Sequence, residues 1–115
     1  MNAKRRLSCY ALIDSGADHC VFPRSFLQPL GLDALATPVA LSAGLGSAGV
    51  PTHFANVSID LPAVIEFPVY AGFTSALDQM GLGLLGQTGF FDRFNVSFKL
   101  AEKICLIEVP EPPAV

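Results

Sequence analysis

A single, mostly β domain is what this sequence predicts, and three observations predict it. At 115 residues the chain is long enough to bury a real core and too short to divide into two. Apolar and polar residues alternate with a period of two, first as Val57, Ile59 and Leu61 against Asn56, Ser58 and Asp60, then as Ile65, Phe67 and Val69. Between such stretches stand glycine, proline and small polar residues, which end strands and leave no room for a long helix.

Residues 1–6 read as a frayed end, and Leu7 to Ile13 as a strand leading straight into Asp14. Pro23 to Leu30 suits a short helix that Pro29 and Gly31 stop early. Thr37 to Ala43 reads as another strand. Gly44-Leu45-Gly46-Ser47-Ala48-Gly49 spells G-x-G-x-x-G, but a dinucleotide site needs a helix to begin there, and the chain from Val50 to Leu61 has strand periodicity instead. A glycine-rich hairpin tip between two strands is the expectation.

Pro62-Ala63 turns the chain back into the strand carrying Ile65, Phe67 and Val69, and residues 73–80 form a connecting loop. Gly81 to Gly86 repeats the glycine spelling before a short helix expected at Gln87 to Phe94, its aromatics facing the core. Strands at Asn95 to Leu100 and Ile104 to Val109 complete the domain. Pro110, Pro112 and Pro113 close a tail that cannot pair.

Composition narrows the function. Half of the residues are apolar (51%) and 15% are charged, which argues against disorder except at the ends. A net charge of −3, with Lys4-Arg5-Arg6 as the sole basic cluster, disfavours nucleic acid as a partner. The apolar segment after that cluster is cut short by Asp14, against a signal peptide, and no stretch approaches a membrane-spanning length. Cys9, Cys20 and Cys105 fit neither a disulfide framework nor a zinc site, so a cytoplasmic home is the expectation and neither metal nor cofactor is expected.

The organising stretch is Ala11 to Pro23. An apolar strand presents the carboxylate of Asp14, and Ser15 and Gly16 then favour a tight turn. Apolar character resumes at Val21 and Phe22, so Asp14 is expected to lie between two core segments, where burial makes a carboxylate costlier to ionise. Leu12-Ile13-Asp14-Ser15-Gly16-Ala17-Asp18 resembles the active-site loop of the retropepsin-like aspartic proteases, and Leu84-Leu85-Gly86 resembles that family's apolar-apolar-glycine triplet.

The resemblance covers residues 7–109. It implies a closed β-barrel with a flap hairpin and one short C-terminal helix, active as a C2 homodimer. It further implies that Asp14 is catalytic and that Gly16 and Ala17 lie along the bound peptide. Ser15, standing where threonine is commoner, would bond across the dimer axis, and Asp18 would bind substrate main chain or brace the loop. Gly44, Leu45, Gly46 and Ser47 would form the flap over the peptide, while Leu84, Leu85 and Gly86 pack beside the catalytic loop. Members generally have a further strand ahead of the one reaching that loop. This chain has little room for it, so the start reads as truncated or as cut from a longer polyprotein or membrane-anchored chain.

One aspartate implies two chains. Peptide hydrolysis by carboxylates uses two that share a proton, and the chain contains a single Asp-Ser-Gly. Asp18 is too close in sequence to serve as a symmetric partner, so a two-fold homodimer acting on a peptide or protein substrate is expected. A cysteine–histidine hydrolase built from His19, Cys20 and His53 is disfavoured, because neighbours in an extended segment point to opposite faces. The remaining alternative is a catalytically inactive module that keeps the fold to bind a peptide or to dimerise.

Overall fold

The computed structural model describes residues 5–42 and 50–110. Eight strands dominate: β1 (Ala11–Ile13), β2 (Val21–Pro23), β3 (Val39–Ser42), β4 (Val50–Leu61), β5 (Ile65–Thr74), β6 (Gly83–Leu85), β7 (Asn95–Lys99) and β8 (Ile104–Glu108). Helical structure among these residues is confined to four single 3₁₀ turns, at Arg24–Phe26, Ala34–Ala36, Ser75–Leu77 and Leu100–Glu102. None of them is long and apolar enough to cross a membrane.

Six strands form one sheet in the order β1-β6-β2-β5-β4-β3, and β7 and β8 make a separate antiparallel hairpin. Alternation dictates the long β4–β5 hairpin. Ala55, Val57, Ile59 and Leu61 face Ala71, Val69, Phe67 and Ile65 across it, so one apolar face turns to the core. Its tip, at Pro62-Ala63, holds Ala63 at φ 62° and closes with Val64 N–H donating to the Leu61 carbonyl.

The core is aromatic. Phe67, Phe73 and Phe90 are almost wholly buried, and Phe94 meets Phe67 edge-on with centroids 5.0 Å apart. Phe22 lies against Phe73 at 5.9 Å, which ties β2 to β5. Val96 and Ile107, opposite each other on β7 and β8, pack the hairpin onto this cluster.

Three expectations are corrected. The sheet ends at β1 on one side and β3 on the other, so it is a curled half-barrel rather than a closed barrel. No helix spans Gln87 to Phe94. Gly89 sits at φ 106°, and Phe91 and Asp92 donate to the carbonyls of Gly86 and Gln87, five residues back, so the segment is a series of wide turns. Phe90 and Phe94 nevertheless face the core as expected. The strand read from Leu7 begins only at Ala11: Leu7 to Cys9 pair with no described strand, and Tyr10, whose carbonyl accepts from Gly83 N–H at 2.9 Å, stands 90% exposed.

The helix read at Pro23 to Leu30 is a 3₁₀ turn followed by tight turns, ended by Gly31 at φ 75°. β5 runs on to Thr74, taking the first residues of the expected loop into the sheet. Both glycine spellings are joined to strands rather than helices. β3 and β4 pair antiparallel with Ser42 opposite Val50 around the first, and β6 occupies the end of the second.

Candidate functional site

Asp14 stands where β1 runs out of ladder. Its N–H donates to the Leu85 carbonyl at 3.0 Å, a last bond to the strand beside it. Its own carbonyl accepts from Ala17 N–H at 3.1 Å, closing a turn over Ser15 and Gly16. Within that turn Asp14 Oδ1 accepts from Gly16 N–H at 2.9 Å, the local bond that makes aspartate a turn former. The other carboxylate oxygen has no protein hydrogen bond among the described residues. Asp14 is half-buried, a more open position than the sequence led us to expect.

The loop then crosses the end of β6. β1 pairs with β6 in parallel and β2 pairs with it antiparallel, so residues 14–20 must pass from one side of β6 to the other. Main-chain bonds fix the crossing: Gln87 N–H donates to the Ala17 carbonyl and Thr88 N–H to the Asp18 carbonyl, both at 2.8 Å. Gln87 Nε2 reaches the Ser15 carbonyl at 2.6 Å. Gly86 lies directly under the strand-like path of the loop. A Cβ there would stand 2.3 Å from the His19 carbonyl oxygen and 2.6 Å from that of Ala17, so no other residue fits without moving main chain.

The structure thus brings the two sequence motifs into contact. Leu84 and Leu85 are buried beside the loop, and Gly86 is the point at which loop and strand touch. Ser15 and Gly16 are exposed at the turn, and Ala17 packs on a small apolar cluster of Val21, Leu77 and Leu84. Asp18 is exposed, and its carbonyl, not its carboxylate, is what braces the loop. Gly44, Leu45, Gly46 and Ser47 lie outside the described residues.

Other candidates separate. Cys20 is fully buried, and burial, with a contribution from Asp92, pushes its thiol up, partly offset by a bond from the Gly86 N–H. A thiol held protonated in this way is no nucleophile. His53 Nε2 accepts from Arg24 Nε at 3.3 Å, and its Nδ1 is 2.9 Å from Thr37 Oγ1, whose hydrogen goes to the Ala34 carbonyl. Both ring nitrogens are therefore engaged away from Cys20. His19 meets the edge of Phe54 at 5.5 Å. Among the described residues no group of three His, Cys, Asp or Glu could hold a metal ion.

Two features escaped the sequence reading. Gln87 was placed at the start of a helix, yet its side chain clasps the Ser15 carbonyl, and only its position after Gly86 hints at this. Beside the loop, His19, Phe54 and Tyr70 form an aromatic row, in which buried Phe54 lies between half-buried His19 and exposed Tyr70 and stacks on the latter at 5.4 Å. Gly72 makes the space: a Cβ there would be 2.6 Å from Thr52 Cγ2 and 3.3 Å from Phe54 Cε1. The signal was present, since Phe54 and Tyr70 are aromatics at positions that alternate with the Ala55, Val57, Phe67 and Val69 set. No family model, curated protein or solved structure matches the chain.

Proposed function

We propose that this protein is an aspartic endopeptidase of retropepsin-like type, in which Asp14 from each of two copies makes one catalytic pair. The observation that carries the reading is the placement of half-buried Asp14, on a turn tied to Leu85, Ala17 and Gln87, with one carboxylate oxygen bound by Gly16 N–H and the other without a hydrogen bond among the described residues. Rigid support with one open oxygen is what a group that handles a water molecule requires.

In the reaction an ionised Asp14 takes a proton from water as the water oxygen attacks the peptide carbonyl, while the protonated Asp14 of the other copy donates to the carbonyl oxygen. The first Asp14 then delivers the proton it took from water to the peptide nitrogen, the second takes a proton back from a hydroxyl of the gem-diol, and the C–N bond breaks to leave an acid, an amine and the starting carboxyl pair. Two carboxylates about 3 Å apart cannot both ionise, so sharing one proton sets the division of labour. The exposed turn at Ser15 and Gly16 would lie along the substrate main chain and at the two-fold axis. His19 and exposed Tyr70, both seated on buried Phe54, border the same loop and favour apolar substrate side chains.

The reading is tested by Asp14→Asn. Peptide-library cleavage by the native chain should fall by at least about a hundredfold in the variant, the loss expected for removing a general acid–base. The sedimentation profile and thermal midpoint should stay within error. Undiminished cleavage in the variant would sink the assignment. One fact favours a second reading: a lone chain offers a single Asp-Ser-Gly, so a copy that stays monomeric can hold a peptide but not cut it. Specific activity that falls on dilution separates the two.

A further inference from the structure

The half-barrel has an unfilled position for a strand. β3 pairs with β4 only from Val50 to His53, with one more bond from Phe54 N–H to the Pro38 carbonyl. Upstream of Pro38 the chain swings away, because the 3₁₀ turn at Ala34–Ala36 is capped by Asp33 at one end and by Thr37 bonding the Ala34 carbonyl at the other. Among the described residues nothing pairs with the edge of β4 beyond Phe54.

The direction of its main-chain groups can be deduced. Phe54 N–H points to the β3 side, and in an antiparallel ladder every second residue points the same way. Asn56, Ser58 and Asp60 therefore direct N–H and C=O away from β5. Their partners across the hairpin agree: Ser58 stands opposite Pro68, which has no N–H to give, and the Pro68 carbonyl accepts instead from Arg93 Nη2. Among the described residues these three make no outward main-chain bond.

The bare edge faces a cavity of about 520 Å³. All six consecutive residues from Asn56 to Leu61 line it, as happens when a strand presents its edge rather than a face. Its floor is apolar, with Phe22, Phe26, Leu30, Leu32 and Phe73 beneath. The far wall is the segment from Arg5 to Cys9, which belongs to no strand. One exposed ion pair, Arg6 to Asp60 at 3.4 Å, crosses the mouth, and such pairs contribute little.

We propose that this slot accepts an extended segment of another polypeptide, which adds to the sheet between β4 and the N-terminal segment and closes the half-barrel. A row of donors and acceptors repeating every second residue over roughly 14 Å is matched by another extended main chain and not by a small apolar molecule. The apolar floor sets the partner's pattern, with apolar side chains at alternate positions. Asp14 is not among the lining residues, so the site is separate from the proposed catalytic one.

The test uses the whole chain and a synthetic peptide in which valine and threonine alternate, with lysines at both ends. Amide hydrogen exchange at Asn56, Ser58 and Asp60 should slow at least about tenfold when the peptide binds, while that at Ala55 and Val57, already paired with β5, stays as it was. Ser58→Pro removes one outward N–H without touching the β4–β5 ladder, and it should weaken binding about tenfold, the equivalent of one hydrogen bond. Asp14→Asn should bind the peptide as the native chain does, so loss of catalysis and loss of the slot are told apart.

Unchanged exchange at the three amides would overturn the proposal even if the proline variant failed to fold. So would their protection in the absence of peptide, rising with protein concentration together with a dimer in light scattering, since a second copy would then be the occupant. Displacement of the peptide by decanoate with no amide protected would also overturn it, in favour of a small-molecule cavity.

Discussion

The Asp14 loop and the outer edge of β4 both lie where regular pairing stops, and they meet that condition in opposite ways. In the loop the carbonyls of Asp14, Ser15, Ala17 and Asp18 find partners within the domain, on Ala17, Gln87 and Thr88. Along the edge, Asn56, Ser58 and Asp60 find none among the described residues. The loop is finished by its own fold and can hold a reactive group still. The edge is finished only by something added. A chain of this size can place a carboxylate on a braced turn and still leave part of its sheet to be completed from outside.

Substitutions at the contact point of loop and strand should break the comparison most sharply. Gly86→Ala forces main chain apart at His19 and Ala17, and should lower unfolding free energy by about 3 kcal/mol in urea titration. Alkaline titration comes next. Because burial raises the Cys20 thiol in the folded state, the unfolded chain loses that proton first, so stability is whole below the ordinary thiol value of 9.0 and falls as pH rises above it. The Cys20 contribution to the slope should not exceed about 1.4 kcal/mol per pH unit, the limit for one proton, and Cys20→Ala should remove that part and leave the part due to Cys9, whose thiol burial also raises.

Gln87→Ala removes the side-chain clasp on Ser15 and should cost about 1 kcal/mol, with loop amides exchanging faster than those of β5. The smallest effect belongs to the edge. Ser58→Pro should shift the unfolding free energy by no more than about 0.5 kcal/mol, since the N–H it removes is unpaired in the isolated chain. A large loss there would mean that the edge is as self-contained as the loop.

What could be read from the residues was whatever depends on near neighbours. The alternation of Val57, Ile59, Phe67 and Val69 specified the long hairpin and its buried face, and Asp14-Ser15-Gly16 specified a turn that presents a carboxylate. The pairing of β1 with β6, which sets Ala11 beside Gly83, obeys no local rule, and it emerged only by analogy through Leu84-Leu85-Gly86. The expected helix at Gln87 to Phe94 failed for a reason of space. Gly89 takes φ 106°, outside the helical region, with its backbone so close to Val69 that a Cβ would collide, and the aromatic spacing of Phe90, Phe91 and Phe94 is satisfied equally well by wide turns. Likewise, nothing in Leu7 to Cys9 revealed that these residues would pair with no described strand.

The glycine pressed beneath two carbonyls has a consequence for how the sequence can vary. A saturation library at position 86, selected only for folding, should return glycine and little else, whereas exposed Ser15 should accept many replacements. Change in the shape of the loop is then possible only with a matching change in the strand, so these two distant pieces of chain must drift together or not at all.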